Sequence, residues 1–285
     1  VIPTTFAYER ANSVEEAIRL LEASNGEAKL LAGGHSLIPM LKLRLTSMGK
    51  LIDIGHIPTL RGVRKVGDRL VVGALTTHAQ VASDALVREH LPALAEAASQ
   101  IGDLQVRNRG TIGGNLAHAD MASDLPAIAI AFDAAFEVMT RDGIETLQVE
   151  DWFLGPMMTA LPENSVLTSV SFQLPPEGSR SVYEKYAHPA SGYAVVGVAA
   201  SATVDASGVV TDVRVALTGA ADLPYRARSV EDALRGCAAT TETVQAAALL
   251  AADEGVMAGD LFASEEYRRH LCTVYTKRAL QRVLA

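Results

Sequence analysis

The sequence predicts an α+β protein organised in more than one part, and three features carry that prediction. Strand-like runs of β-branched and apolar residues fill the middle of the chain, and helical periodicity takes over toward its C-terminus. Pro175-Pro176-Glu177-Gly178-Ser179 is the clearest linker signal, and Gly55–Gly67, with Pro58 inside it, is a second. A chain of 285 residues is long for one core and short for three independent ones. The expected parts are 1–57, 58–176 and 177–285.

Ser13-Val14-Glu15-Glu16 reads as a capping box, and Val14, Ala17, Ile18 and Leu21 follow at helical spacing. A helix over 13–24 is expected, stopped by Asn25-Gly26. Ala28–Ala32 is a short buried strand, Ser36–Leu45 contains a short helix with Pro39 in its first turn, and Lys50–Ile54 is the next strand. Arg69–Val72 is a strand, and Thr77–Ser83 and Pro92–Ile101 are helices, the second with Pro92 near its first position. Arg107–Asn115 reads as a loop, and a helix runs from Pro126 to Phe132. Phe136–Met139, Thr146–Val149 and Ser165–Leu174 are strands. After the linker come strands Val182–Tyr186, Tyr193–Val204 and Val209–Leu217, with Ser207-Gly208 turning between the last two. The tail is helical at Val230–Leu234, Val244–Ala252 and Glu265–Leu284.

Two double-glycine segments carry the chemistry. Ala32-Gly33-Gly34-His35-Ser36 follows the apolar run Leu30-Leu31, and Thr111-Ile112-Gly113-Gly114-Asn115 follows Gln105–Gly110. Adjacent glycines admit positive φ and let a ligand approach without meeting a Cβ. Successive N–H groups can then converge on an anion as a nest. Each segment alone reads more readily as a structural turn than as a ligand cradle, and the two together balance the readings. Two of them, each ending in a hydrogen-bonding side chain, suit a ligand with linked phosphates.

Composition narrows the alternatives. A net charge of −8 gives no basic footprint for nucleic acid, so an anionic ligand would have to be held by local N–H donors. The longest apolar runs, Leu125–Phe132 and Ala194–Ala200, are well short of the ~20 residues of a transmembrane helix. Val1-Ile2-Pro3-Thr4-Thr5 has no basic stretch leading into an apolar core, and it lacks an initiator Met. A trimmed cytoplasmic protein is therefore expected, with attachment at the inner face of the membrane as the variant. Two cysteines, Cys237 and Cys272, cannot supply the four thiolates an iron–sulfur cluster generally needs. His118-Ala119-Asp120 has no second ligand pair at metal spacing, so no metal site is expected. No G-x-G, Walker A or G-x-S-x-G pattern occurs.

With those motifs absent, the two segments resemble the paired flavin-diphosphate loops of the medium, FAD-binding subunit of molybdenum hydroxylases. That is the xanthine dehydrogenase and aerobic carbon monoxide dehydrogenase family. The resemblance runs from Phe6-Ala7-Tyr8 to the helical tail. It implies a vanillyl-alcohol-oxidase-type (PCMH-like) FAD-binding domain in two parts, followed by a small α/β C-terminal domain. It also implies residue roles. Lys29, Leu30, Leu31, Ala32, Gly33, Gly34, His35, Ser36 and Leu37, with Thr111, Ile112, Gly113, Gly114 and Asn115, would wrap the pyrophosphate and adenosine side. Ile101 and Gly102 would lie near the flavin or its ribityl chain. Asp124 would bind cofactor hydroxyls, although a role as cap of the helix at Pro126 is equally open. Lys185 matches a basic residue near the ring system, and Tyr193 an aromatic beside it, with a strand-edge core tyrosine as the alternative.

The implied role is that of an FAD-carrying electron-transfer subunit with no catalytic residue of its own. FAD would be bound non-covalently, since His35 sits in the diphosphate loop, away from the ring. The partners would be a large subunit with the molybdenum cofactor and a small subunit with [2Fe-2S] clusters, assembled as a dimer of heterotrimers. His118–Asp124 and Ala187–Ser191 depart from the carbon monoxide dehydrogenase pattern, so aldehydes and N-heterocycles stand beside carbon monoxide as substrates. A self-sufficient flavin oxidoreductase of the same fold and a non-catalytic nucleotide-binding subunit are the alternatives.

Overall fold

The computed structural model describes residues Ile2 to Ala285; Val1, part of the opening read for a secretory signal, lies outside them. The N-terminal stretch holds β1 (Ala7–Arg10), α1 (Val14–Glu22), β2 (Ala28–Leu31), α2 (Leu37–Lys42) and β3 (Lys50–Asp53). Ser13 caps α1 by accepting from the Glu16 N–H, as the capping box predicts, and Val14, Ala17, Ile18 and Leu21 are its buried face. β3 lies between β1 and β2, parallel to both. The loop after β2 therefore emerges at the carboxyl edge of a parallel sheet.

The second stretch runs β4 (Val63–Val66), β5 (Arg69–Gly73), α3 (His78–Ser83), α4 (Ala85–His90), α5 (Pro92–Ser99), α6 (Leu104–Arg109), α7 (Ile112–His118) and α8 (Leu125–Ala131). It continues with β6 (Ala135–Thr140), β7 (Gly143–Gln148), β8 (Phe153–Gly155), β9 (Met158–Thr159) and β10 (Val166–Gln173). Its main sheet is antiparallel in the order β4-β5-β10-β6-β7, and β8 pairs with β9 in a small hairpin.

The last stretch holds β11 (Arg180–Ala187), β12 (Ala194–Val204), β13 (Val210–Thr218), β14 (Tyr225–Arg226), α9 (Arg228–Leu234), α10 (Thr241–Ala248) and α11 (Glu265–Leu284). β11–β14 form one antiparallel sheet in chain order. It is covered on both faces, which explains why β12 reads as one unbroken apolar run. Tyr183, Ala199 and Ala216 join the core of the second stretch, while their neighbours Val182, Val198, Ala200, Val215 and Leu217 pack in the core shared with the C-terminal helices.

The expected strands and long helices are present; the short elements around the second glycine pair are the main difference. Where a loop is expected over 107–115, the chain forms α6 and the start of α7. Glycine is among the poorest helix formers, so Gly113-Gly114 reads as a break. The helix forms because Thr111 caps it, accepting from the Gly114 N–H at 3.2 Å, and because Gly113 lies flush on Ala74, where a Cβ would come within 2.8 Å of backbone. α4 is a further helix that the sequence reading does not predict; Asp84 caps it by accepting from the Leu86 and Val87 N–H groups.

Trp152, the lone tryptophan, buttresses α7 from below. It is fully buried, stacks on Phe136 with ring centroids 3.9 Å apart, and donates its indole N–H to the Leu116 carbonyl at 3.0 Å. Trp152→Ala should lower unfolding free energy by about 3–5 kcal/mol in a urea melt followed by circular dichroism. Trp152→Phe, which keeps the stacking and loses the hydrogen bond, should lower it by only about 1–3 kcal/mol.

Candidate functional site

The first glycine segment begins where β2 ends. Lys29, Leu30 and Leu31 belong to the strand, Lys29 exposed and the two leucines half-buried. Gly34 has φ +78°, a conformation that favours glycine, and turns the chain into α2, which starts at Leu37. The N–H groups of Gly33, Gly34, His35, Ser36 and Leu37 find no acceptor within the described residues. Ser36 occupies the N-cap position of α2 without making a capping bond, so its hydroxyl is also uncommitted. A run of free N–H donors at the start of a helix, at the carboxyl edge of a parallel sheet, is an anion-binding concavity.

The second segment works differently. Its N–H groups are used internally: Ile112 donates to the Thr76 carbonyl, Gly113 to Ala74 and Asn115 to Thr111. Its glycines are helical and permit close packing instead. Gly33 rests on the Arg109–Gly110 peptide, where a Cβ would lie 2.2 Å from the Arg109 oxygen. A Cβ on Gly114 would be 3.8 Å from that of Ala32. The two segments are thus in contact, one supplying donors and the other packed closely beside it. Asn115 accepts from the Ser123 hydroxyl at 2.7 Å, which leaves its amide N–H donors free.

The resemblance implies separate contacts for Asp124 and Lys185; the structure makes them a pair. Lys185 Nζ lies 2.9 Å from the Asp124 carboxylate and 3.1 Å from the Gln100 carbonyl, and the Tyr183 hydroxyl donates to Asp124 at 2.7 Å. Their side chains are 2% and 5% exposed. Burial pushes the Asp124 carboxyl up, with Lys185 opposing it, and burial together with Asp124 pushes the Tyr183 phenol up. The capping role open for Asp124 is excluded: it stands at the N-cap of α8, but its side chain makes no capping bond.

Ile101 is buried, and Gly102, with φ +48°, is exposed beside it; both carbonyls accept from Arg107 at 3.0 Å. Tyr193 is 45% exposed just ahead of β12, so it is no core tyrosine. Half-burial and the nearby Asp120 and Asp124 raise its phenol above the ordinary value.

The segment 119–124 ties these residues together. Ala194 donates to the Ala122 carbonyl, Gly219 to Met121, and the Thr218 hydroxyl sits between the Met121 and Ser123 carbonyls at 3.0 and 2.9 Å. The expected site residues therefore form one continuous strip. It runs from the nest across Ala32 and Gly114 to Asn115, then through Ser123 and Asp124 to Lys185, Gln100 and Ile101. A cleft of about 720 Å³ adjoins the strip at Ala32 and Thr111 and is bordered also by Arg109, Asp53, Arg61 and Gln80, but by none of Ser36, Asn115, Asp124, Lys185 or Tyr193. The strip, which holds the free donors, is the better candidate. Among the described residues no group of three or more His, Cys, Asp or Glu could hold a metal, and no helix is long and apolar enough to cross a membrane.

Sequence reasoning missed Tyr183, Gln100 and His78. Tyr183 had a signal, since it stands two residues from Lys185 on one strand and so shares its face. Gln100 contributes only a backbone carbonyl, which no residue pattern marks.

Two family models match the chain: an FAD binding domain in molybdopterin dehydrogenase over residues 4–175, and a CO dehydrogenase flavoprotein C-terminal domain over 181–283. The carbon monoxide dehydrogenase medium chain of Hydrogenophaga pseudoflava is 41% identical over 280 residues, covering 98% of this chain and 97% of that one. The nicotine 6-hydroxylase medium subunit of Paenarthrobacter nicotinovorans is 34% identical, covering 96% and 95%. A solved structure of the Hydrogenophaga pseudoflava carbon monoxide dehydrogenase, lacking the Mo-pyranopterin moiety of its molybdenum cofactor, superposes with a TM-score of 0.94 at 42% identity, over 99% of this chain and 98% of that one.

Removing one partner of the buried pair strands the other charge. Lys185→Met should cost about 3–5 kcal/mol in a urea melt, and the double variant Lys185→Met/Asp124→Leu should recover much of that loss. A single variant no less stable than the double would show that the pair is solvated.

Proposed function

The chain belongs to the family of FAD-binding medium subunits of molybdenum hydroxylases, the carbon monoxide and xanthine dehydrogenase type, and from that membership we propose that it relays electrons through FAD between a partner's [2Fe-2S] clusters and an external acceptor. Substrate would be oxidised at a molybdenum cofactor on a large partner subunit. The observation that carries the reading is the run of unpaired N–H groups from Gly33 to Leu37, on a segment in contact with the one that carries the free amide of Asn115. Those donors suit a diphosphate.

Bound FAD supplies a centre that exchanges electrons singly with iron–sulfur clusters and in pairs with many acceptors. The chain's own residues do the rest. The first segment would hold the diphosphate through neutral donors, and Asn115 would close on it from the second. Asp124 fixes the Lys185 ammonium beside Ile101 and Gly102, so a localised positive charge would stand close to the ring and favour its reduced, anionic form. Tyr193 would cover the ring from the C-terminal sheet. Cys237 and Cys272 cannot build a cluster here, which assigns the iron–sulfur centres to another polypeptide.

We keep three parts, 1–57, 58–176 and 177–285, as the proposed domains, a dimer of heterotrimers as the assembly, and the cytoplasm as the location. The relatives act on carbon monoxide and nicotine by their names, and the substrate of the complex would be set by the large subunit.

Acid precipitation of the purified protein should release FAD into the supernatant. Gly34→Asp should abolish flavin content with the circular dichroism spectrum unchanged, because a carboxylate in the nest opposes the phosphates by about 1–4 kcal/mol. Under anaerobic conditions, candidate substrates should leave the flavin absorbance of the isolated chain unchanged and bleach it once both partner subunits are added. Bleaching without partners would overturn the relay and favour a self-sufficient oxidoreductase.

A further inference from the structure

His78 is the one buried imidazole beneath the two glycine segments, and nothing in the relay uses it. It opens α3, is 3% exposed, and donates its backbone N–H to the Gly110 carbonyl at 3.0 Å. Thr77 and Thr111, the residues on either side of that contact, are bridged as well. The ring lies so close to Gly110 that a Cβ there would stand 2.8 Å from Cδ2 and 3.0 Å from Nε2. On Gly110 and Arg109 rests Gly33, whose own missing Cβ would be 2.9 Å from the Gly110 Cα. His78, Gly110 and Gly33 are thus packed in series, with the free N–H run of the first segment on top.

Nδ1 of His78 is buried and has no hydrogen-bond partner. A neutral ring with its proton on Nε2 leaves Nδ1 as an unmet lone pair. A second proton would have to go on Nδ1, creating a buried N–H without an acceptor. The charged groups that reach the ring are His35 from the first segment and Arg107 from α6, and both oppose a further positive charge.

We propose that His78 is a positioning residue of the diphosphate grip: as a neutral ring it holds Gly110, and through it Gly33, in place, and its protonation loosens the grip and lowers affinity for the dinucleotide. This rests on the reading of the first segment as the FAD diphosphate site. The sign follows from the direction of the shift. Burial, followed by His35 and Arg107, lowers His78 from 6.5 to about 4. The packed arrangement therefore favours the neutral form, its contribution is complete above pH 6.5, and it is lost progressively as pH falls toward 4.

The test is equilibrium binding of FAD to the deflavinated full chain between pH 7.5 and about 4, with circular dichroism at each pH to confirm the fold. Wild type should bind progressively more weakly below about pH 5, by roughly twofold near pH 4, where about half of the rings carry the second proton. His78→Phe and His78→Gln, both uncharged, should lose most of the pH dependence, whatever their affinity at neutral pH. If His78→Phe misfolds, His78→Gln alone decides the matter. A flat wild-type profile, or variants that keep the wild-type slope, would overturn the proposal. Wild type that binds no FAD at any pH would instead refute the flavin reading beneath it.

Discussion

Everything at this site depends on one close approach, the seat of Gly33 on the Arg109–Gly110 peptide. No side chain fits there, since even a Cβ would lie 2.2 Å from a carbonyl oxygen. That contact joins the edge of a parallel sheet to the end of α6 and brings two distant stretches of sequence together at a single concavity. Packing on this scale is unforgiving, because interiors are already at crystal-like density. The glycines of the second segment serve the same end: Gly113 lies against Ala74 and Gly114 faces Ala32.

A second constraint sets the other end of the strip. The segment 119–124 offers its carbonyls to β12, Thr218 and Gly219, and its last side chain carries the counter-charge of Lys185. The C-terminal sheet is held on the same side by Glu96, which accepts from the Tyr183 N–H at 2.8 Å and pairs with Arg282 at 2.7 Å. A buried ion pair is weak evidence for stability but a strict specification of position. Lys185 and Tyr183, two residues apart on β11, have one place to go once the sheet docks.

Much of this was legible in the sequence, and the limits have physical causes. Ser13-Val14-Glu15-Glu16 announced α1 because capping is local chemistry. The runs at 166–173 and 194–204 announced strands because β-branched residues recur there. The double glycines marked the site, but one pattern concealed two mechanisms. Gly34 takes positive φ and opens a nest, whereas Gly113 and Gly114 stay helical and make room. Which of these a glycine does depends on what packs against it, and Ala74 and Ala32 are far away in the chain. The pairing of Asp124 with Lys185 was hidden for the same reason, and His78 gave no signal because its neighbours come from α6 and the first segment.

The reliance on peptide N–H groups has a kinetic side. Neutral donors hold an anion only at contact distance, whereas the net charge of −8 acts at range and repels a dinucleotide before it arrives. Mobile ions screen the long-range repulsion within about 8 Å at physiological ionic strength and barely touch the contacts themselves. Salt should therefore speed the loading of cofactor without hastening its loss, the reverse of what a lysine-lined site would do. A site of this construction takes up its anion slowly in dilute buffer and then keeps it.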